Sequence, residues 1–272
     1  MLVSILCPIY FKPSSRDEMD AIILAAGVGR RLSALKDVPK CLLSFNGRTL
    51  LQRHLEALET CGVNRVAVVV GYQAHLIEDE VARYSGRLVV DVVFNDEFRR
   101  GSVLSLRAGL MVANPEQSVI VMDADVLFHI DVLRRLVDAK FRSGFLLDER
   151  SSAEGEEMML GVRDGRVCTI SRQIGSDWEV IGEGVGFFRL HHEDLNEMMA
   201  SVETLLEKGD RDADYESAID VFLKRRTANY VPVDDLPWTE IDFEEDVAKA
   251  RQVVLPAIEN KQDKLGSAPA PF

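Results

Sequence analysis

AIILAAGVGRRLSALKDVPK, residues 21–40, is the stretch that decides the fold. An apolar run ends in a pair of alanines and is followed by two glycines, Gly27 and Gly29. The basic residues that come next are Arg30, Arg31 and Lys40. Residues without a Cβ can take positive φ, so the backbone N–H groups of such a turn can converge on one anion. A helix that began just after the turn would favour an anion at the same place. We therefore predict a buried strand that leads into a phosphate-binding turn.

Two other glycine-rich phosphate loops do not fit this stretch. A dinucleotide-binding loop needs a third glycine, where Leu32 stands, and an acidic residue about 20 residues further on. The sequence near that second position is Pro39-Lys40-Cys41. A P-loop needs Gly-Lys followed by Ser or Thr, which this sequence lacks. A tight turn that binds no ligand stays open as an alternative.

The composition is that of a globular protein with enough apolar residues for a sizeable core. Of its 272 residues, 47% are hydrophobic and 28% are charged. The net charge of −13 argues against nucleic acid or an anionic membrane as a partner, because binding a polyanion needs a basic surface. The four cysteines are scattered and lack metal-ligand spacing. We therefore expect a cytoplasmic protein without disulfides or structural zinc.

The two ends of the chain differ from the rest. Residues 1–18 read as an N-terminal extension and not as a signal peptide, because they lack a basic start and Pro8 interrupts the apolar run. Disorder and a natural start at Met19 are the two interpretations left open for this segment. Residues 259–272 have the low hydrophobicity of a flexible tail. The folded domain is accordingly expected over 19–258.

Strand-like and helix-like runs alternate between these ends. Strands are predicted at 21–25, 65–71, 88–94, 118–123, 144–147, 158–163, 166–170, 184–190 and 228–233. Helices are predicted at 48–60, 74–84, 102–113, 130–140, 193–207, 213–226 and 244–255. This alternation indicates a doubly wound α/β fold with a mixed, mainly parallel sheet and a smaller β-rich layer at about 144–190. Ligands bind outside the carboxyl ends of such strands, which places the loops after residues 25, 71, 94 and 123 at one edge.

An Asp-Ala-Asp sequence, Asp123 to Asp125, closes the buried strand VIVMD. We expect only one of the two carboxylates to face the ligand. An unpaired buried carboxylate is costly, so a cation or a hydrogen-bond donor is expected beside it. Mg²⁺ suits this position, because proteins hold it with one or two carboxylates, waters and phosphates. A strand-end aspartate that caps the next loop is the alternative.

A further carboxylate lies far downstream, in the sequence WTEID at 238–242. Asp242 follows a short predicted strand and precedes the helix at 244–255. Taken alone, it fits a helix N-cap, with Glu245 three residues later completing a capping box.

The order of several short motifs resembles that of the nucleotidyltransferases that join a nucleoside triphosphate to a phosphorylated small molecule. The motifs are LAAGxGxRL followed by PK at 24–40, VVGY at 69–72, FND at 94–96, SL at 105–106, MDAD at 122–125, GVGF at 184–187 and WTEID at 238–242. Among these enzymes, the sequence is most similar to the choline-phosphate and aminoethylphosphonate cytidylyltransferase-like group. The resemblance covers roughly residues 19–255.

The resemblance implies a Rossmann-like nucleotidyltransferase fold, CTP and Mg²⁺ as requirements, and a CDP-alcohol or CMP-phosphonate as product, with release of pyrophosphate. The catalytic residues that it implies are Arg31 and Lys40. The nucleotide-binding residues that it implies are Ala25, Ala26, Gly27, Gly29, Arg30, Arg31, Lys40, Gly71, Asn95, Ser102 and Asp123. The metal ligands that it implies are Asp125 and Asp242.

The acceptor side departs from the choline-phosphate enzymes, which hold a quaternary ammonium with aromatic residues. The stretch after Asn95 contains one aromatic residue, Phe98, and two arginines at 99–100, which suit a more anionic or hydroxylated acceptor. A partial aromatic cage of Phe98, Tyr215 and Trp238 stays open. The acceptor-binding residues that we expect are Arg172 for a phosphate or phosphonate, Glu183 and Glu216 for an amine or hydroxyl groups, and Tyr215.

Three other functions stay open. The chain could be a sugar-1-phosphate nucleotidyltransferase that makes an NDP-sugar, a nucleotide sensor without turnover, or a glycosyltransferase with an Asp-x-Asp metal site. The pair of Asp125 and Asp242 argues against the sensor, and the glycine turn is not required by the glycosyltransferase. The expected partners are CTP and a small phosphate- or phosphonate-bearing acceptor, with no nucleic acid and no membrane. The protein is expected to be a monomer or a homodimer.

Overall fold

The computed structural model describes residues 18–29, 38–151 and 157–266, with side chains described up to residue 261. The strands are β1 Met19–Ala25, β2 Ser44–Phe45, β3 Arg48–Thr49, β4 Arg65–Val70, β5 Val89–Phe94, β6 Ser118–Asp123, β7 Val126–Phe128, β8 Gly144–Asp148, β9 Met159–Arg163, β10 Arg166–Ser171, β11 Val180–Leu190, β12 Asn229–Pro232 and β13 Trp238–Glu240. The helices are α1 Leu50–Thr60, α2 Ala74–Ala82, α3 Val103–Val112, α4 Ile130–Asp138, α5 Leu195–Glu207, α6 Tyr215–Leu223, α7 Glu244–Lys249 and α8 Leu255–Gly266. A π-helical turn, Ala250–Val254, joins α7 to α8.

Nine strands of the described ranges form one sheet. Its main order is β10-β9-β11-β6-β1-β4-β5, with β8 paired to β11 and β12 paired to β8. The strands β6, β1, β4 and β5 run parallel, whereas β11 runs antiparallel to β6, β8 and β9. This confirms the predicted doubly wound sheet of mixed type with a parallel centre. The predicted β-rich segment at 144–190 contains β8 to β11, which continue the central sheet.

The centre of the sheet is buried on both faces, as its apolar strands require. Successive side chains of a strand point to opposite faces, so in β1 Ile23 belongs to one hydrophobic cluster and Ile22 to the other. Residues of α1 and α4 pack on the first face, and residues of α3, α5 and α6 pack on the second. The parallel strands are therefore fixed from both sides, and their carboxyl ends meet at one edge.

A short antiparallel ribbon returns the C-terminal part of the chain to this edge. In it, β7 pairs with β13, and Val126 lies opposite Glu240. The Ile241 N–H then donates to the carbonyl oxygen of Asp125 at 3.0 Å. Because β7 follows the turn after β6, the ribbon places residue 242 beside residue 125. The sequence did not reveal β7, since three residues are too few to show a period.

The C-terminal helix continues past residue 258, where the sequence predicted a flexible tail over 259–272. Helix α8 runs to Gly266. Ile258 is buried in the core, and the Lys261 ammonium donates to a main-chain carbonyl in the loop before β13 at 3.1 Å. These contacts hold the start of the predicted tail on the domain, and residues 267–272 lie outside the described part of the chain.

The N-terminal extension predicted over 1–18 lies outside the described residues, apart from residue 18. Among the helices that the structure describes, none has the length and apolar character needed to cross a membrane.

Candidate active site

A cavity of about 280 Å³, here called the main cavity, lies at the carboxyl ends of β1 and β6 and is closed by residues of β11 and α6. This is the edge at which the sequence places the ligand. The predicted site residues that line it are Ala26, Gly27, Ser102, Asp123, Asp125, Arg172, Tyr215, Glu216 and Asp242. The structure therefore brings residues predicted for the nucleotide, the acceptor and the metal into one cavity.

A smaller cleft of about 110 Å³ adjoins the main cavity and shares Gly27 and Asp125 with it. The further predicted residues that line it are Ala25, Gly29 and Lys40. Gly29 has a φ of +62°, the left-handed region that glycine adopts without steric cost. A Cβ at this position would lie 3.4 Å from Cγ of Lys40, so the turn packs closely on the lysine side chain. Two predicted residues of this loop lie outside the described ranges, namely Arg30 and Arg31.

Lys40 stands between the two predicted metal ligands. Its ammonium donates to Oδ1 of Asp242 at 2.6 Å and to Oδ2 of Asp125 at 3.0 Å. Only 16% of the lysine side chain is exposed. Burial alone would lower the pKa of the Lys40 ammonium, but the two carboxylates outweigh burial and raise the pKa above its ordinary value. The lysine therefore keeps its proton and places a positive charge at the centre of the site.

Glu240, which sequence reasoning missed, adds a third carboxylate. Carboxylate oxygens of Asp125, Glu240 and Asp242 all lie within 4.8 Å of one another, and we call these three residues the carboxylate cluster. Burial raises the pKa of Glu240 well above its ordinary value, and the charge of Asp125 adds to this effect. The WTEID motif could have indicated Glu240, because Glu240 and Asp242 are two residues apart in an extended segment and therefore share a face.

The start of α7 decides between the two interpretations of Asp242. The N-cap position is Phe243. The carboxylate of Asp246 accepts hydrogen bonds from the N–H groups of Asp242 and Phe243 at 3.0 and 2.8 Å. The predicted capping box of Asp242 with Glu245 is therefore wrong, since the N-cap lies one residue after Asp242. The Asp242 carboxylate instead contacts Lys40.

Asp123 faces the main cavity as well, so the expectation that only one carboxylate of the Asp-Ala-Asp sequence faces the ligand is wrong. Strand β6 ends at Asp123, and residues two apart share a face even within a strand. Oδ2 of Asp123 accepts from the Tyr215 hydroxyl at 2.6 Å. A Cβ on Gly186, whose φ is +77°, would lie 2.5 Å from the same oxygen. Burial, with the charges of Asp125 and Glu216, raises the pKa of the Asp123 carboxyl.

Tyr215 and Glu216 begin helix α6 and line the main cavity. The Tyr215 N–H donates to Oγ of Ser102 at 2.9 Å, which ties the helix to the start of α3. Burial raises the pKa of Glu216 to about 7. Arg172 forms an ion pair with Asp214 at 2.7 Å, at the border between the main cavity and an open cleft beside it. We call Asp123, Tyr215 and Glu216 the Tyr215 group.

Gly71 and Asn95 support the main cavity but do not line it. A Cβ on Gly71 would lie 2.3 Å from Cβ of Phe98, so glycine allows Phe98 to pack on the end of β4. Asn95 is buried, and its amide donates to Oγ of Ser105 at 3.0 Å. Phe98 and Ser105 both line the cavity. Contact of Gly71 and Asn95 with a base stays a prediction.

Glu183 lines a neighbouring cleft of about 620 Å³, together with Trp238, and not the main cavity. Glu240 and Asp242 line both spaces, so the cleft borders the carboxylate cluster. Burial raises the pKa of the Glu183 carboxyl. The Trp238 indole donates to Asp148 at 2.8 Å, which holds the ring outside the partial aromatic cage considered for the acceptor.

The chemistry of the carboxylate cluster fits a magnesium ion. Three carboxylates offer hard oxygen ligands that are close enough for one ion to share. The Lys40 ammonium contacts two of them, so the cluster accommodates a positive charge. The residues that would hold the ion are Asp125, Glu240 and Asp242.

A doubly wound sheet, a glycine turn at its carboxyl edge and a carboxylate cluster beside that turn define an α/β nucleotidyltransferase. The chain belongs to the family of the MobA-like NTP transferase domain, whose model matches residues 21–156. The matched segment contains the glycine turn, Lys40 and Asp125, whereas Asp242 lies beyond it.

Similar proteins confirm the resemblance to cytidylyltransferases. The chain is 26% identical over 255 residues to the CTP:phosphoglutamine cytidylyltransferase of Campylobacter jejuni, covering 84% of this chain and 98% of that protein. It is 33% identical over 118 residues to the 2-aminoethylphosphonate cytidylyltransferase of Lancefieldella rimae, covering 43% of this chain and 46% of that protein. The solved structure of the CTP:phosphocholine cytidylyltransferase from Streptococcus pneumoniae matches with a TM-score of 0.72 at 23% identity, covering 87% of this chain and 99% of that one. This last likeness shows the fold.

Proposed function

We propose that this nucleotidyltransferase transfers CMP from CTP to a small acceptor that carries a phosphate or phosphonate group, and releases pyrophosphate. The product is a CDP-alcohol or a CMP-phosphonate. One observation carries the proposal: the Lys40 ammonium lies between Asp125 and Asp242, directly beside the glycine turn. The names of the two cytidylyltransferase relatives support CTP as the nucleotide.

The glycine turn and its basic residues bind the triphosphate in this proposal. Gly27 and Gly29 let the backbone approach the phosphates closely. Lys40 supplies a mobile ammonium, and the arginines at 30–31 add positive charge. The residues proposed for the base and the ribose are Ala25, Ala26, Gly71, Asn95, Ser102 and Asp123.

The carboxylate cluster would hold Mg²⁺. The bound ion would neutralise phosphate charge and so lower the barrier to pyrophosphate release. The protein itself contributes the positions of the three carboxylates, because the pairing of β7 with β13 fixes residues 125, 240 and 242 relative to one another.

The reaction is an in-line displacement at the α-phosphorus of CTP. An oxygen of the acceptor's phosphate or phosphonate forms a bond to this phosphorus while the bond to the bridging oxygen breaks, and pyrophosphate leaves with the electron pair. The attacking oxygen is already anionic near neutral pH, so the reaction needs no strong general base. Catalysis then comes from alignment of the two substrates and from the charge of Lys40 beside the transferring phosphoryl group.

The acceptor lies against α6 and β10 in this proposal. Arg172 binds its phosphate or phosphonate, and Tyr215 and Glu216 bind its amine or hydroxyl groups. A Glu216 carboxyl with a pKa of about 7 can donate to a hydroxyl group or accept from an ammonium. Glu183 would contact only an acceptor that extends into the neighbouring cleft.

A pyrophosphate-release assay tests the function. CTP, UTP, GTP and dTTP are each combined with Mg²⁺ and with choline phosphate, aminoethylphosphonate, hydroxyethylphosphonate, glycerol phosphate, inositol phosphate or glucose 1-phosphate. We expect release with CTP and at least one of the first five acceptors. Release only with another nucleotide and the sugar phosphate would support the NDP-sugar alternative. Binding of CTP without any product would support a nucleotide sensor.

We also propose a cytoplasmic location and a monomeric or homodimeric state. Cys41 and Cys168 are free thiols, which suits a reducing compartment. Light scattering on the purified protein would measure the oligomeric state.

A further inference from the structure

Two of the carboxylates that would bind a metal are the carboxylates that Lys40 contacts. Its Nζ lies 2.6 Å from Oδ1 of Asp242 and 3.0 Å from Oδ2 of Asp125. Mg²⁺ binds carboxylate oxygens at about 2.1 Å. An ammonium and a divalent cation on the same two carboxylates would repel each other at close range. The ammonium therefore opposes binding of the ion for as long as it stays on these carboxylates.

The ammonium is costly to move unless another anion receives it. The lysine side chain is mostly buried and its methylene groups pack beside Gly29. A buried ammonium that loses its carboxylates and finds no other partner pays a large desolvation penalty. Free metal therefore has to overcome both repulsion by the ammonium and the cost of leaving the ammonium unpaired.

A triphosphate at the glycine turn would supply the missing anion. Lys40 lines the small cleft together with Gly27 and Gly29, on the side of the carboxylate cluster where the turn lies. Rotation of the side chain towards phosphates in this cleft would exchange carboxylate partners for phosphate partners. The carboxylates would then be left with net negative charge and open oxygen atoms.

We propose that Lys40 competes with the divalent cation for Asp125 and Asp242, and that the nucleotide triphosphate removes this competition. Metal alone then binds weakly, and metal and nucleotide strengthen each other's binding, as linkage requires. The inference rests on the proposed function in one respect, namely that the triphosphate binds at the glycine turn.

Binding of Mn²⁺ without nucleotide, measured by electron paramagnetic resonance of the free ion, tests the competition. We expect Lys40→Met to bind Mn²⁺ roughly tenfold or more tightly than the wild type. Lys40→Arg keeps the cation and is expected to stay weak. Lys208→Met makes the same change in net charge at an exposed position and is expected to match the wild type. Asp242→Asn is expected to abolish the tight binding when combined with Lys40→Met.

Equal or weaker binding by Lys40→Met would overturn the proposal, as would tight binding that survives Asp242→Asn. Circular dichroism and thermal melting check that each variant is folded. If Lys40→Met does not fold, the same measurement is made with Lys40→Gln. No turnover is measured, so the competition can hold even if the pyrophosphate assay fails.

The wild-type protein provides a second measurement. The ¹⁵N resonance of the Lys40 ammonium, assigned by its loss in Lys40→Arg, reports the ion pair with Asp125 and Asp242. A CTP analogue with a methylene group between the α- and β-phosphorus atoms, added without metal, is expected to shift this resonance. A resonance that does not change at saturating analogue would contradict removal of Lys40 by the triphosphate.

Discussion

The main cavity contains two groups of acidic residues whose charge is balanced in different ways. In the carboxylate cluster, the Lys40 ammonium contacts Asp125 and Asp242. In the Tyr215 group, the Asp123 carboxylate accepts from a neutral hydroxyl, and burial raises the pKa of Glu216 to about 7. An ammonium therefore contacts two carboxylates of the first group, whereas no ammonium of the described residues contacts Asp123 in the second; burial raises the pKa of one further carboxyl in each group, Glu240 and Glu216.

The two groups are therefore suited to different functions within one cavity, namely cation binding and contact with the acceptor. Carboxylates that share an ammonium can exchange that cation for a metal ion. The Glu216 carboxyl, whose pKa is about 7, changes its charge near neutral pH and can adapt to an acceptor's amine or hydroxyl group. The comparison predicts that changes in the carboxylate cluster affect turnover most, and that changes in the Tyr215 group affect stability and pH dependence.

The largest effect is expected from Asp125→Asn and from Lys40→Ala. The first removes a carboxylate of the carboxylate cluster, and the second removes the ammonium that contacts this cluster. Each is expected to lower turnover on the order of 10²-fold or more. Pyrophosphate release measures the effect, and thermal melting checks that the fold survives. Asp210→Asn makes the same chemical change on an exposed turn and is expected to keep normal turnover. Near-normal rates for folded Asp125→Asn would remove Asp125 from the site.

A smaller effect is expected from Gly186→Ala, because Gly186 packs on Asp123 of the Tyr215 group. The added Cβ would lie 2.5 Å from the Asp123 carboxylate, and the residue has a φ of +77°. Gly165 is a matched control, since its φ is +68° and no atom lies within 4 Å of the added Cβ.

Gly165→Ala is expected to lower the free energy of unfolding by about 1 kcal/mol through backbone strain alone. Gly186→Ala is expected to cost roughly 1–3 kcal/mol more, because Asp123 has to shift, and to reduce turnover as well. Chemical denaturation and pyrophosphate release provide the two readouts. Equal stability and turnover of the two variants would show that the contact with Asp123 is unimportant.

The smallest effect is expected from Glu216→Gln, and it depends on pH. The folded-state pKa of Glu216, about 7, lies above its ordinary value of 4.5, so the folded protein binds this proton more tightly than the unfolded chain. The free energy of unfolding of the wild type should therefore fall as pH rises from about 4.5 through 7, by roughly 1–3 kcal/mol relative to the glutamine variant. Denaturation curves at pH 4.5, 6 and 8 measure the difference. A constant difference between the two proteins would contradict the raised pKa.

The sequence predicted the parallel half of the molecule better than the ribbon that completes the site. The strands β1, β4 and β6 are continuous apolar runs that are closely followed by glycine or end at aspartate, so both their existence and the edge they share could be predicted from the sequence. The ribbon of β7 and β13 has three residues in each strand, which is too short for a period. Its pairing is a long-range contact that local sequence does not encode.

The positions of single site residues also depend on long-range contacts that the local sequence does not encode. Lys40 was expected near the phosphates, but its position between Asp125 and Asp242 follows from the ribbon and could not be read from spacing. Glu183 was expected on the acceptor side, yet it lines the neighbouring cleft. Glu240 was overlooked although it lies two residues before Asp242 in an extended segment, and the folded ribbon shows that it also lies close to Asp125.

A crystal structure with CTP and Mg²⁺ tests the central claim most directly. The account predicts that the triphosphate lies at the turn of residues 27–29, with a phosphate oxygen within about 3.2 Å of Lys40 Nζ and with that nitrogen no longer bonded to Asp242. A triphosphate bound away from this turn, with Lys40 still between Asp125 and Asp242, would contradict it.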